Sequence, residues 1–257
     1  VKSTSPVFEF QDVVVHNESR TPILDKVKFS VNSGEILGIA GVDGNGQREL
    51  EKAITGLIPI QKGSIIFENE DISAIGPRER LEKELWFIPP DRQHQGLVLD
   101  LPITENLILG SHWRPPISKF LLLQPKHILR MAKDLIKRFD VRARNAHVTA
   151  RRLSGGNQQK IVVARVLSHN PKFLLASQPT RGIDVAAIEF VHREILKLRE
   201  SQGAILLISF DLDELMKLSD RIVVLYRGQI VAEFARDDFD KEEIGSYMVS
   251  GARLEPV

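Results

Sequence analysis

The stretch Leu153-Ser154-Gly155-Gly156-Asn157-Gln158-Gln159-Lys160 restricts this chain more than any other part of it. Ser154 is a residue type that caps helices, and the glycines behind it let backbone amides come close to a ligand. From Gln158 to Leu167 apolar residues recur at helical spacing, Ile161, Val162, Ala164 and Leu167 among them. The predicted helix therefore opens with a hydroxyl, N–H groups and the positive end of its dipole, which suits a phosphate. Ser-Gly-Gly alone would be an ordinary N-cap with a glycine-rich start. Eight residues in this order are a motif.

Length and composition narrow the remaining choices. A chain of 257 residues can bury one large domain, or a core with a subdomain. Lys+Arg 35 against Asp+Glu 34 gives no global attraction to nucleic acid, and no nucleic-acid partner is expected. The absence of cysteine excludes disulfides and thiolate metal sites, and suits the cytoplasm. The seven histidines are scattered, none paired at helical ligand spacing, so no zinc site is expected. No apolar run approaches the roughly 20 residues of a membrane-spanning helix, and no signal peptide opens the chain. Any membrane role is expected to be peripheral. The chain begins Val1-Lys2-Ser3 without an initiator Met, as a piece excised from a longer protein or a chain freed of a tag would.

Taken in order, residues 7–15 and 24–31 read as strands joined by a polar turn. Residues 35–40 are an apolar strand of buried type running into Gly41-Val42-Asp43-Gly44-Asn45-Gly46-Gln47-Arg48. A helix follows, with Leu50, Ala53, Ile54 and Leu57 on its apolar side. Strand, glycine loop and helix are the context of a phosphate-binding P-loop, and the glycines match G-x-x-G-x-G without a gap. The next two positions do not match. Gln47 stands where a phosphate-binding Lys is required, and Arg48 where a Mg²⁺-binding Ser or Thr is required. Backbone amides can still cradle an anion, but the lost ammonium removes a contact worth roughly 1.5–3 kcal/mol. Arg48 can replace part of the charge and cannot ligate Mg²⁺. A tight turn that holds nothing is the alternative.

Further on, residues 64–67 and 84–88 read as strands around a helix from Pro77 to Lys83. An apolar element is predicted over Asn106–Gly110, and helices over Gln124–Phe139 and Ala187–Arg199. Residues 126–152 carry nine Lys/Arg against Asp134 and Asp140. A solvated face accounts for Lys133 and Lys137, whereas Arg144, Arg151 and Arg152 lie beside the motif and could attract a triphosphate. Buried-type strands at 173–176 and 204–209, a helix over 212–218, strands at 221–226 and 229–234, and a helix from about Lys241 complete the order.

The motif resembles the LSGGNQQK signature of ATP-binding cassette (ABC) ATPases of sugar and nucleoside importers, and the likeness extends through about residue 235. It implies an α/β fold: a P-loop NTPase core of mixed sheet and helices with an antiparallel β edge and an inserted helical subdomain. The core would be 1–100 with 153–235, the helical subdomain 101–152, and the C-terminal helix and tail 236–257. Ile88-Pro89-Pro90-Asp91-Arg92 is similar to the family's PEDR segment, with Pro90 in place of the polar residue that serves a metal-bound water. Ser177-Gln178-Pro179-Thr180 stands where the family has Asp-Glu-Pro-Thr, so the metal-holding and water-orienting carboxylates are both replaced. Such a general base usually contributes roughly 10²–10⁴-fold. Phe210 occupies the place of the histidine that contacts the γ-phosphate. Asp184 matches the D-loop aspartate.

The losses are selective. Gln47, Arg48, Ser177, Gln178, Phe210 and Pro90 depart where a cassette serves its own nucleotide. Ser154, Gly155, Gly156, Asn157, Gln158 and Asp184 remain where it serves a partner's. The resemblance thus implies a degenerate second cassette: weak or absent ATP binding at Gly41, Asp43, Gly44, Asn45, Gly46, Gln47 and Arg48, with ATP and Mg²⁺ held at the partner's site. The implied partners are an intact cassette, as the N-terminal half of the same polypeptide, permease subunits and, indirectly, a substrate-binding protein. The implied location is the cytoplasmic face of the cell membrane. An ATPase using substitute residues, or the cassette of a soluble non-transport ABC protein, is the alternative.

Overall fold

A computed structural model describes residues 6–252; the Val1-Lys2-Ser3 start and the last five residues lie outside it. Two compact units are present. One comprises the residues up to 87, 171–178 and those from 196 onward; the other comprises 88–170 and 179–195.

The first unit holds two sheets. Strands β1 (Phe8–His16), β2 (Pro22–Val31), β4 (Lys62–Phe67) and β5 (Glu70–Asp71) form an antiparallel sheet in the order β2-β1-β4-β5. The larger sheet contains β3 (Ile36–Ala40), β6 (Leu85–Ile88), β9 (Phe173–Ser177), β10 (Ala204–Ile208), β11 (Arg221–Tyr226) and β12 (Gln229–Ala235), in the order β12-β11-β3-β10-β9-β6. Neighbours β11, β3, β10 and β9 run parallel, and β12 returns antiparallel along the edge. Every residue of β3, β9 and β10 is buried, which is why these strands read as continuous apolar runs without alternation.

Aromatic residues fill the core of this unit. Phe8 stacks on Phe173 with ring centroids 4.2 Å apart, and Phe10 stacks on Phe29 at 5.3 Å. Helix α1 (Gln47–Thr55) buries Leu50, Ala53 and Ile54. Its C-terminal carbonyls are closed by Arg80 of α2 (Pro77–Glu82), whose guanidinium donates to Ala53 O and Ile54 O, both at 2.7 Å, and to Ile72 O at 2.7 Å. Burial pushes Arg80 down to about 10. Helices α7 (Leu212–Leu218) and α8 (Lys241–Ser250) complete the unit.

The second unit contains α3 (Ile103–Asn106), a hairpin of β7 (Ser118–Lys119) and β8 (Leu122–Leu123), α4 (Pro125–Arg138), α5 (Gly155–Leu167) and most of α6 (Val185–Glu200). The apolar element expected over Asn106–Gly110 is a run of turns that buries Leu107 and Ile108, and it follows the helical turn Ile103–Asn106. The buried amide of Asn106 organises this segment. It accepts from Val98 N at 2.9 Å and donates to the Val98 and Leu101 carbonyls, both at 3.0 Å, so the turn closes around it. The division also differs from the sequence reading: residues 88–100 and the α5 segment group with 101–152, and α8 groups with the first unit.

Candidate functional site

The first unit carries the glycine loop between β3 and α1. Gly44 and Gly46 have φ of 92° and 106°, and a Cβ on Gly46 would lie 2.9 Å from Leu24 Cδ2, so this turn requires glycine. Asn45 ties the loop to the β11–β12 turn: its Oδ1 accepts from Arg227 N and its carbonyl from Gly228 N, each at 2.9 Å.

Gln47, read as a lost ammonium, fills the loop with its own side chain. The side chain is 3% exposed. Its Oε1 accepts from Asn45 N at 3.1 Å, and its Nε2 donates to Val42 O at 3.0 Å. A backbone donor that a phosphate cradle would offer is therefore taken by a neutral amide of the same chain. Arg48 supplies no charge inside. Its guanidinium is 73% exposed and pairs with Asp43 at 3.4 Å.

Behind the loop the expected metal-holding position is also committed elsewhere. Ser177, fully buried at the end of β9, donates its hydroxyl to Glu51 Oε1 at 2.5 Å. Burial raises the Glu51 carboxyl above its usual range, against the Ser177 bond and the Arg48 charge. Gln178 has φ 44°, donates its backbone N–H to Ile208 O at 2.8 Å, and has a buried Nε2 without a hydrogen-bond partner. Phe210 is partly exposed and brings no hydrogen-bonding side chain to its position. The residues present do not fit a Mg²⁺-nucleotide at this loop.

In the second unit the signature residues form a braced knot. Ser154 caps α5, its Oγ accepting from Asn157 N at 3.4 Å and from Asn157 Nδ2 at 2.9 Å. Gln158 N makes the helix's first bond, to Ser154 O at 2.9 Å, so the amides of Gly155 and Gly156 lie ahead of the ladder. The later residues lash neighbouring segments to the helix. Asn157 Oδ1 accepts from Arg142 N at 2.7 Å; Gln159 Nε2 donates to Pro179 O at 2.7 Å; Lys160 Nζ meets Asp140 Oδ2 at 2.8 Å. Gln158 turns inward, 3% exposed, and donates to Ala150 O at 3.1 Å. It shapes the helix start and does not face outward as a ligand would.

Both glycines lie against close neighbours. A Cβ on Gly156 would lie 2.9 Å from Asp184 Oδ2 and 3.1 Å from Ala187 Cβ. One on Gly155 would lie 2.7 Å from Arg92 Nη2. Asp184 accepts from Ala187 N at 3.0 Å, so the D-loop aspartate and the signature share one packed surface. Ser154, Gly156, Asn157 and Asp184 line a single polar cleft together with Arg142 and Lys160.

Arg92 and Glu51 were missed by sequence reasoning. Arg92 donates to the carbonyls of Arg181 at 2.7 Å and Gly182 at 3.0 Å, holding the D-loop turn beside Gly155. Pro90 precedes the segment, and Asp91 then caps a single wide turn, Arg92–Gly96, accepting from Gln93 N at 2.9 Å and His94 N at 3.0 Å. The His94 amide foremost holds the Asp91 carboxyl below its usual range. Glu51 was legible only as the charge one turn beyond Gln47. The Arg151 guanidinium is engaged bidentately by Asp100, at 2.7 and 3.0 Å, an exposed ion pair beside the signature.

A parallel-stranded α/β core with a glycine loop between β3 and α1 defines a P-loop type of nucleotide-binding domain. The ABC transporter family model matches residues 24–181, and the chain belongs to that family as an ATP-binding cassette. It is 44% identical to the nucleoside import ATP-binding protein NupA of Lactococcus lactis subsp. cremoris, over 95% of this chain and 48% of that protein. It is 44% identical to the guanosine import ATP-binding protein NupO of Bacillus subtilis, over 89% of this chain and 45% of that protein. The ribose import ATP-binding protein RbsA of Oceanobacillus iheyensis is 34% identical over 96% of this chain and 49% of its own length. The chain thus spans about half the length of these relatives. Among solved structures, a nucleotide-free cassette from an ABC transporter superposes with TM-score 0.77 at 25% identity, covering 90% of this chain and 92% of that one. The ADP conformation of another ABC transporter cassette shares the fold, with TM-score 0.78 at 24% identity over 96% of both chains.

Proposed function

We propose that this chain is the second, degenerate cassette of a nucleoside- or simple-sugar-type importer, which completes its partner's ATP site and runs none of its own. The Gln47 side chain carries this reading, because it satisfies the loop with the protein's own amide. The signature end of α5 contrasts with it. Ser154 is exposed there, and the Gly155 and Gly156 amides precede the helix ladder. In the head-to-tail arrangement of the family, these groups would hold the γ-phosphate of the partner's ATP. Asn157 and Gln158 set their geometry, and Asp184 backs Gly156.

The half-length match to import ATP-binding proteins supports a second cassette within one polypeptide. Permease subunits and, through them, a substrate-binding protein are the remaining partners, and the site of action is the cytoplasmic face of the membrane. No helix among the described residues is long and apolar enough to cross a membrane. What ATP supplies is binding energy for closing the two cassettes. What this chain supplies is preorganised donors in a water-excluded interface, where such groups are strongest.

Nucleotide binding by the purified chain tests the degenerate half of the reading. Titration with a fluorescent ATP analogue and Mg²⁺ should give binding at least about tenfold weaker than an intact cassette, and little altered by chelating the metal. Tight, Mg²⁺-dependent binding abolished by Arg48→Ala would make the site a working one with substitute residues.

A further inference from the structure

The β7–β8 hairpin ends in an apex that no folding argument explains. Phe120 is 88% exposed, Leu121 99% and Leu122 69%. Phe120 and Leu121 also have φ of 52° and 64°. Two successive left-handed residues are the pattern of a turn that favours Asn-Gly, and a bulky side chain at either position is disfavoured. This sequence therefore places two large apolar side chains in water, in the backbone conformation least suited to them. The base of the hairpin, by contrast, is fixed. Ile117 packs with Ile108 and Ile128, and Gln124 N donates to Ile117 O at 2.9 Å. The apex projects from this anchored base.

Its surroundings indicate what it meets. The groove beside it is lined by Trp113, Pro115, Pro116, Lys119, Lys126 and Arg130, with no acidic side chain among the lining residues. Lys119, Lys126 and Arg130 form no ion pair among the described residues. Over 110–138 the chain has seven Lys/Arg and the single acid Asp134. Protein interfaces disfavour lysine at their centres. An apolar wedge ringed by cations, with a tryptophan at its flank, is the composition that a bilayer's headgroup region accepts.

We infer that the Phe120–Leu122 apex inserts into the surface of an anionic lipid bilayer, with Lys119, Lys126 and Arg130 on the headgroups. The contact is independent of the nucleotide reading, and it is made by this chain directly, without a permease. Each cation drawn to such a surface strengthens binding about fivefold, and the attraction fades within a Debye length, so it weakens with salt.

Sedimentation of the purified chain with vesicles of phosphatidylcholine and phosphatidylglycerol tests this, with vesicles of phosphatidylcholine alone as the comparison. Trp113 emission reports the depth of insertion, because the only other tryptophan, Trp86, is buried in β6. Binding to the anionic vesicles with a blue shift, about tenfold or more above the neutral ones and reduced by salt, is the expected result. The double variant Phe120→Asn, Leu121→Gly suits the turn, so it should fold at least as stably and lose insertion. Three results would overturn the inference: no binding to anionic vesicles, equal binding to both vesicle types, or binding undiminished in the double variant. A soluble dimer abolished by the same double variant, without vesicle binding, would assign the apex to a second copy of the chain instead.

Discussion

Glu51 and Ser177 share a 2.5 Å hydrogen bond in the buried space behind the glycine loop. The two residues come from α1 and β9 and meet behind the loop. Burial raises the Glu51 carboxyl above its ordinary 4.5. The folded state therefore binds more protons than the unfolded chain between 4.5 and the raised value. The stability supplied by protonated Glu51 is complete below that window and is lost as pH rises through it. Glu51→Gln keeps the shape and removes the titration. Urea midpoints measured from acid toward neutrality should fall more steeply for the native chain, and Glu51→Gln should be the more stable at neutral pH. Parallel curves would show that Glu51 is ionised at no cost.

Restoring single family residues at the loop should fail. Gln47→Lys replaces an amide that bonds Asn45 N and Val42 O, yet it brings no base, and Gln178→Glu brings a base without a metal. Catalytic groups that act as a unit are grossly non-additive. Phosphate release by the isolated chain should stay at background for either change. Turnover switched on by Gln178→Glu alone would mean that metal and phosphate are already held.

The signature glycines answer to sterics that can be measured in the isolated chain. Gly156→Ala puts a methyl 2.9 Å from Asp184 Oδ2 and 3.1 Å from Ala187 Cβ, at the capped start of α6, where the backbone has little freedom to give. Overpacking of this kind should lower stability by about 1–3 kcal/mol, read from denaturant midpoints. Ser154→Ala should cost about 1 kcal/mol, the usual loss of a cap. A harmless Gly156→Ala would mean that the D-loop sits farther from α5 than described.

The order of elements was legible because the strands flanking the glycine loop are continuous apolar runs and the helices carry regular apolar spacing. The signature and the loop were legible as strings. Less visible was what those strings touch. Gln47 read as a missing ammonium, whereas its shorter neutral amide bonds back onto the loop. Gln158 read as a ligand, but Ala150 O claims it. Arg92 and Glu51 act across long stretches of chain, on Gly182 and Ser177, and no local period marks such pairs. The hairpin apex escaped notice because Phe-Leu-Leu-Leu reads as core until its exposure is seen.

In the proposed cassette pair this chain works through Ser154 and not through Gln47. Substrate uptake by the assembled transporter, driven by ATP, tests it when Ser154→Arg and Gln47→Ala are introduced one at a time. Ser154→Arg places a bulky cation at the donor end of α5 and should abolish uptake. Gln47→Ala should leave uptake within about twofold of normal, since the neutral amide it removes is bonded only within its own loop. The reverse ranking, with Gln47→Ala inactive and Ser154→Arg silent, would make the glycine loop the working site.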